Sequence, residues 1–367
     1  MEHSDRILVT GGSGFIGGRL VEILVARGFR VRVTTSDFRH CERISQLPIE
    51  LVRANLRDHE ALSRAVSGCD VVFHAAYRFG GRAKDEKRIN LDGTRALAEA
   101  FLRDQGRRFV HISSIAAYGA HDGEITEGSP RTTQVNGYGR IKGQIEVALL
   151  ELCRTRKLPV TILQPTIVYG PHGTTFTVRL LDELRSNRVG LPRGGVCNAV
   201  YVDDVVSAAL LAANENSAVG EAFIISGSQP TTWREFYSAY ERMLNKDTVV
   251  ELDDKDLKFL RSPVAKGLRF SRRVVDGLGR CVPVVRRHIS SPLLKKTPEP
   301  ISSFKAASST YVHDGFWAAV YASKAHARID KARETIGYNP AFSLEEGMRQ
   351  TFEWARSANL LSSDHET

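Results

Sequence analysis

Tyr138 and Lys142 are four residues apart, so on a helix both project from one face about one turn from each other. A free phenol titrates at about 10 and is a poor acid or base at neutral pH, whereas a neighbouring ammonium stabilises the phenolate and lowers that value. Such a pair is suited to passing a proton to or from an alcohol oxygen while hydride leaves or arrives at the adjacent carbon. A lone YxxxK is more often a surface pair, so its meaning depends on what accompanies it.

Hydride chemistry needs a carrier, and the N-terminal stretch offers a place for one. The apolar run Ile7-Leu8-Val9 is followed by Thr10-Gly11-Gly12-Ser13-Gly14-Phe15-Ile16-Gly17-Gly18, which opens a helix running to about Arg27. A strand that turns into a helix at glycines leaves N–H groups unpaired at the helix start, and these can hold a pyrophosphate. Gly11 permits the turn, Gly14 lets phosphates approach the backbone, and Gly17 lets helix and strand pack closely. The spacing is GxxGxxG, not the GxGxxG of many dehydrogenases.

The elements that must position these residues alternate along the chain. A second strand covers 30–34, with its tip at Thr35-Ser36. A third lies at Leu51-Val52, and Val71-Val72-Phe73-His74-Ala75-Ala76 reads as a buried parallel strand ending in small residues beside a flat ring. A helix from about Asp85 to Arg103 carries Asn90, 109–114 form a fifth strand, and a helix from Tyr138 to about Thr155 feeds a strand at 160–163. The alternation predicts an α/β fold, a Rossmann-type doubly wound parallel sheet with a smaller C-terminal substrate-binding lobe. The NAD(P)-binding domain is expected at 1–165, with late strands around 199–206 and 221–226 returning to it. The lobe is expected at 166–198 and 227–345, with Trp233 in its core, and a C-terminal helix and tail at 346–367. At the second strand's tip an acidic residue suits a ribose 2′-hydroxyl and an arginine a 2′-phosphate. Here Asp37 comes two positions after Thr35 and Arg39 follows, which leaves NAD and NADP both open.

These motifs together identify a resemblance: the chain looks like an extended short-chain dehydrogenase/reductase of the NAD-dependent epimerase/dehydratase family. The match runs from Arg6 to about Asp204, and 331–340 are similar to that family's C-terminal signature. The resemblance implies that Ser114, four residues before Tyr118-Gly119, hydrogen-bonds the reacting oxygen. It also implies that Tyr138 is the acid/base, and that Lys142 tunes Tyr138 and holds the nicotinamide ribose. Phe15 and Ile16 would lie under the pyrophosphate, Thr35 and Ser36 at the adenosine ribose, Asn55 and Leu56 beside adenine, and Ala75 and Ala76 along the cofactor. Asn90 would stand behind Ser114, and Pro165 and Val168 would border the nicotinamide. Asn55 stands where the family usually has Asp.

Departures from the subfamilies bear on the reaction. Sugar 4,6-dehydratases follow the catalytic hydroxyl with Asp-Glu, but Ile115-Ala116 stand here, which argues against dehydration by that route. Nucleotide-sugar epimerases usually carry an arginine before the VxD motif to bind diphosphate, whereas Asn198 precedes Val202-Asp203 here, which leaves Arg193 or an arginine of the basic segment as the alternative source of that charge. That substitution is similar to the hydroxysteroid dehydrogenase and dihydroflavonol reductase branch. A nucleotide-sugar oxidoreductase or epimerase is placed first, a reductase of an apolar ketone second, and a non-catalytic cofactor-sensing protein third.

The 367 residues carry a net charge of +9. From 255 to 296 there are twelve Lys/Arg against two Asp, so the basicity belongs to one segment. Leu268, Val275, Val282 and Ile289 recur there every seven residues among arginines, as in a solvated lid or a contact with an anionic membrane surface. The segment lacks interleaved aromatics, so no nucleic-acid partner is expected. Five scattered cysteines lack ligand spacing, and no metal is expected. With no spanning apolar stretch and no signal-peptide pattern, the expected location is the cytoplasm, with membrane association through 255–296 open. The expected partners are a small-molecule substrate and, from the family, a second copy of the chain in a homodimer.

Overall fold

A computed structural model describes residues 1–131, 137–262 and 310–361. Most of the basic stretch, from 263 to 296, lies outside the described residues, and with it the heptad pattern. The chain divides into two compact units. The larger comprises 1–179, 196–231 and 323–367, and the smaller 180–195 and 232–322.

The larger unit is built on a seven-stranded sheet. Five of its strands are β1 (Arg6–Thr10), β2 (Arg30–Thr35), β3 (Glu50–Arg53), β4 (Val71–His74) and β5 (Arg108–Ile112). The spatial order is Ala222–Ile225, Val160–Pro165, β5, β4, β1, β2, β3, and every pairing is parallel. The central strands are apolar at successive positions because helices cover both faces. Ile7 and Val9 point into one core with Leu20 and Leu24 of α1 (Phe15–Ala26) and with Val205 and Ala209. Leu8 points into the other, with Leu62 of α2 (His59–Val66), Phe101 of α3 (Ala83–Arg103) and Ile145 of α4 (Gly137–Arg156). The order reverses between β1 and β4, and the crevice above their C-terminal ends is where open α/β sheets take ligands.

Two local readings change. The fifth strand ends at Ile112 instead of 114: Ser113 N still donates to Leu163 O at 2.7 Å, but Ser114 caps a turn at Ile115–Ala117 with its Oγ accepting from Ala116 N. Of the late passes, Ala222–Ile225 joins the central sheet, while Ala199–Tyr201 pairs with Ile167–Tyr169 and runs into the helix Val202–Asn214. Asp203 and Asp204 suit that helix's first turn. Asp203 is held by both Nε and Nη2 of Arg19 on α1, at 2.6 and 2.7 Å. Asp204 accepts from Ala341 N at 2.7 Å, and burial pushes its carboxyl up to about 6.

The smaller unit has a three-stranded parallel sheet with Arg188–Pro192 between Val249–Leu252 and Thr310–Val312. Its helix Trp233–Leu244 starts in a capping box between Thr232 and Glu235 and buries Trp233, Phe236, Tyr237 and Tyr240. Among the described residues, no helix is long and apolar enough to cross a membrane.

Candidate active site

The glycine turn occupies the crevice between β1 and β4. Gly11 has φ +71°, and a Cβ there would stand 2.8 Å from the Ala76 backbone. A Cβ on Gly17 would come within 2.3 Å of Gly11 O, so both positions exclude a side chain. Gly14 caps α1 without a side-chain hydrogen bond, leaving the helix's first N–H groups directed out of the turn.

A cavity of about 790 Å³ opens beside this turn. Its wall contains Gly11, Gly14, Phe15, Ile16 and Gly17, then Thr35 and Ser36, Asn55 and Leu56, Ala75 and Ala76, and finally Tyr138 and Lys142. That volume falls within the range of ligand sites, and a side-chain-free cradle at a helix N-terminus suits a pyrophosphate, so the residues present fit a dinucleotide. At the tip of β2, Thr35 Oγ1 donates to Asp37 O at 2.8 Å, while the half-buried Asp37 carboxylate is paired with the exposed Arg39 at 2.5 Å. Asn55 Oδ1 accepts from Arg57 N, which shapes the turn after β3.

Four expected residues stand outside the wall of this cavity. Asn90 is buried on α3, where its amide binds Arg78 N and O and Glu86 O and so fixes the segment after β4. Pro165 closes the strand beside β5, and Val168 packs against the α1-side core. Ser114 stands behind Tyr138 and is hydrogen-bonded to it. Conversely, Tyr77, Arg78 and Phe79 line the cavity without having been anticipated. Their signal in the sequence is position: they continue the chain past the C-terminal end of β4, where crevice residues arise.

Lys142 stands differently from the expected phenolate partner. It is buried, its Nζ donates to Ile112 O at 2.7 Å, and it lies over the faces of Tyr77 and Tyr138, 5.2 and 5.9 Å from the ring centroids. Burial consequently dominates both groups. It pushes the Tyr138 phenol up to about 12, opposed by the Ser114 hydrogen bond. It pushes Lys142 down to about 8, opposed by the charge of Glu146. Both groups therefore carry their protons at neutral pH. Behind them His74, held between Thr10 Oγ1 (2.6 Å) and Thr94 Oγ1 (2.8 Å), is kept neutral by burial, which pushes it down to about 3.

Aromatic rings frame Tyr138. Tyr77 meets it edge-on at 4.9 Å, and Phe79 stacks on it at 5.5 Å with an interplanar angle of 23° while remaining 69% exposed. Asn198 faces elsewhere: its Nδ2 donates to Ala325 O at 2.9 Å and its Oδ1 accepts from Ala327 N at 3.0 Å.

Residues 7–226 match the model of the NAD dependent epimerase/dehydratase family. A 4-hydroxy-2-methyl-3-oxo-4-farnesyl-3,4-dihydroquinoline-1-oxide ketoreductase from Stigmatella aurantiaca is 30% identical over 238 residues, 63% of this chain and 71% of that protein. A 2-alkyl-3-oxoalkanoate reductase from Stenotrophomonas maltophilia is 26% identical over 358 residues, 94% of this chain and 98% of its own. Among solved structures, the UDP-glucose 4-epimerase of Thermotoga maritima with UDP-glucose superposes with a TM-score of 0.69 at 23% identity, covering 96% of this chain and 99% of that one, a likeness of fold.

Proposed function

Since the chain belongs to the NAD dependent epimerase/dehydratase family, we propose that it is an NAD(P)-dependent reductase of apolar, ring-bearing or long-chain ketones. The observation that carries this reading is Phe79, a large ring left 69% exposed against the face of Tyr138 at the mouth of the cavity. An exposed aromatic wall gains free energy when a flat or alkyl substrate covers it. The names of the two reductases above give oxo substrates that carry a farnesylated ring or an alkyl branch, which supports the reading. A nucleotide-sugar needs charge at its diphosphate, and both ends of the Asn198 amide are already engaged by backbone.

In this reading the glycine turn 11–17 holds the pyrophosphate, Thr35 and Ser36 the adenosine ribose, Asn55 and Leu56 the adenine, and Ala75 and Ala76 the inner edge of the cofactor. Lys142 holds the nicotinamide ribose. A nicotinamide held there would supply the hydride. Tyr138 starts with its proton and gives it to the oxygen of the reduced carbonyl, while Ser114 donates a hydrogen bond to that oxygen. The test is oxidation of NADH and NADPH with a panel of alkyl and polycyclic ketones beside UDP- and dTDP-sugars. Turnover of the ketones is the expected result; turnover confined to the nucleotide-sugars, or none at all, overturns the proposal.

A further inference from the structure

Behind the Ser114 turn lies a buried carboxylate that this chemistry does not use. Glu146 stands one turn beyond Lys142 on α4 and is 1% exposed. Its Oε1 accepts from Ser113 Oγ, and its Oε2 accepts from Arg131 Nη2 and from Gln164 Nε2, the latter at 2.9 Å. Each of these partners is itself anchored. Gln164 Oε1 accepts from Tyr118 OH at 2.9 Å, and Arg131 Nη1 donates to Ala117 O at 3.2 Å. Gly143 leaves the space for that guanidinium, since a Cβ there would stand 2.6 Å from Arg131 Nη1. Ala117 and Tyr118 end the turn that Ser114 begins. One carboxylate thus gathers the end of β5, the Ser114 turn, the strand 160–165 and α4.

A carboxylate in so dry a place is tolerated only when its lone pairs are met, and three donors meet them here. Its charge also reaches the ammonium one turn away. Lys142 is faced by the rings of Tyr77 and Tyr138, by the imidazoles of His74 on β4 and His111 on β5, and by Glu146 on its own helix. Both imidazoles are held neutral by burial and by Lys142 itself. Glu86 is engaged by Tyr77 OH at 3.0 Å. Among the described residues, that leaves Glu146 as the anion acting directly on Lys142.

We infer that Glu146 is a positioning residue, which locks the Ser114 turn to α4 and serves as the counter-charge of Lys142. The inference rests on the roles proposed above for Ser114, Tyr138 and Lys142. Its test reads Lys142 directly, by trace acetylation of the full chain with acetic anhydride at a series of pH values and peptide mass spectrometry; Lys142 lines the cavity, where the reagent can enter. The wild-type midpoint is expected near 8. Glu146→Gln, whose amide can still bond Ser113, should lower it by about one unit or more, and Glu146→Asp should return it toward the wild-type value. Arg131→Gln removes the opposing cation from a half-exposed position, so it keeps the test alive if Glu146→Gln fails to fold, and it should move the midpoint up. The alkaline limb of kcat/KM should shift in the same order, which a purely structural role would not produce. Coincident titrations of wild type and Glu146→Gln, Asp behaving like Gln, or Arg131→Gln moving the midpoint down each overturn the inference. Ordered acetylation midpoints without ketone turnover would uphold the counter-charge and defeat the ketone reading; turnover with unmoved midpoints would do the reverse.

Discussion

Replacing Phe79 by alanine tests the substrate reading where it is most exposed. The ring contributes little to the core, being 69% accessible, so the variant should fold with near-wild-type stability. A phenylalanine side chain presents roughly 200 Å². One face already lies on Tyr138, so a flat substrate would cover only about half of the accessible part, roughly 70 Å². At about 25 cal/mol per Å² this amounts to about 2 kcal/mol, or a roughly 30-fold fall in kcat/KM. The assay is nicotinamide oxidation with a polycyclic or long-chain ketone and, in parallel, with a short ketone such as butanone that cannot span the wall. The large ketone should lose roughly 30-fold and butanone less than about threefold, with cofactor affinity unchanged. Comparing the two substrates separates wall contact from any disturbance of Tyr138, because a displaced phenol would slow both equally. Equal losses, or none, would refute the argument that this ring selects the substrate.

Tyr138→Phe keeps the stacking surface but removes the transferable proton, so turnover should fall by about 10²-fold or more while cofactor-induced thermal stabilisation persists; undiminished turnover would remove Tyr138 from the chemistry. Gly17→Ala places a Cβ 2.3 Å from Gly11 O, so the thermal shift produced by NAD or NADP should largely vanish, and a retained shift would show that the turn does not hold the pyrophosphate. Buried His74 and His111 have pKa values depressed below that of the unfolded chain, so the unfolded state takes up their protons first as pH falls below about 6.5. Their contribution is complete above that value and is lost at lower pH, at about 2 kcal/mol for each histidine by pH 5. Urea midpoints at pH 7 and pH 5 should show this, and His111→Phe should recover about half of the loss; a variant that loses as much as wild type would count against it.

The glycine-turn side of the cavity was legible in the sequence because its requirements fall on backbone. Gly11 and Gly17 are forced by contacts of 2.8 and 2.3 Å, Gly11 against the backbone of Ala75 and Ala76 and Gly17 against the carbonyl oxygen of Gly11. The parallel order followed from apolar runs such as Ile7-Leu8-Val9, which only a strand covered on both faces needs. The wall around Tyr138 was less legible, because its character depends on where a side chain ends and not on its spacing. Phe79 carries no motif, and Asn198 looked like a gap in a diphosphate site until its amide was found between Ala325 and Ala327, more than a hundred residues away. The carboxylate that accepts from Ser113 was not legible at all, because it lies on another element, at Glu146.

The same burial that closes the site sets the order in which its groups titrate. In water a tyrosine and a lysine ionise close together, at about 10 and about 10.4. Here they are driven apart, Lys142 to about 8 and Tyr138 to about 12, because burial penalises the ammonium in one case and the phenolate in the other. Across neutral pH Tyr138 therefore keeps its proton, as the proposed reduction requires, whereas oxidation of an alcohol would require the phenolate that burial disfavours. Raising the pH removes the Lys142 charge well before it removes the Tyr138 proton. The first alkaline loss of activity should consequently report the lysine, and removal of the Glu146 charge, which opposes that loss, should bring it to lower pH.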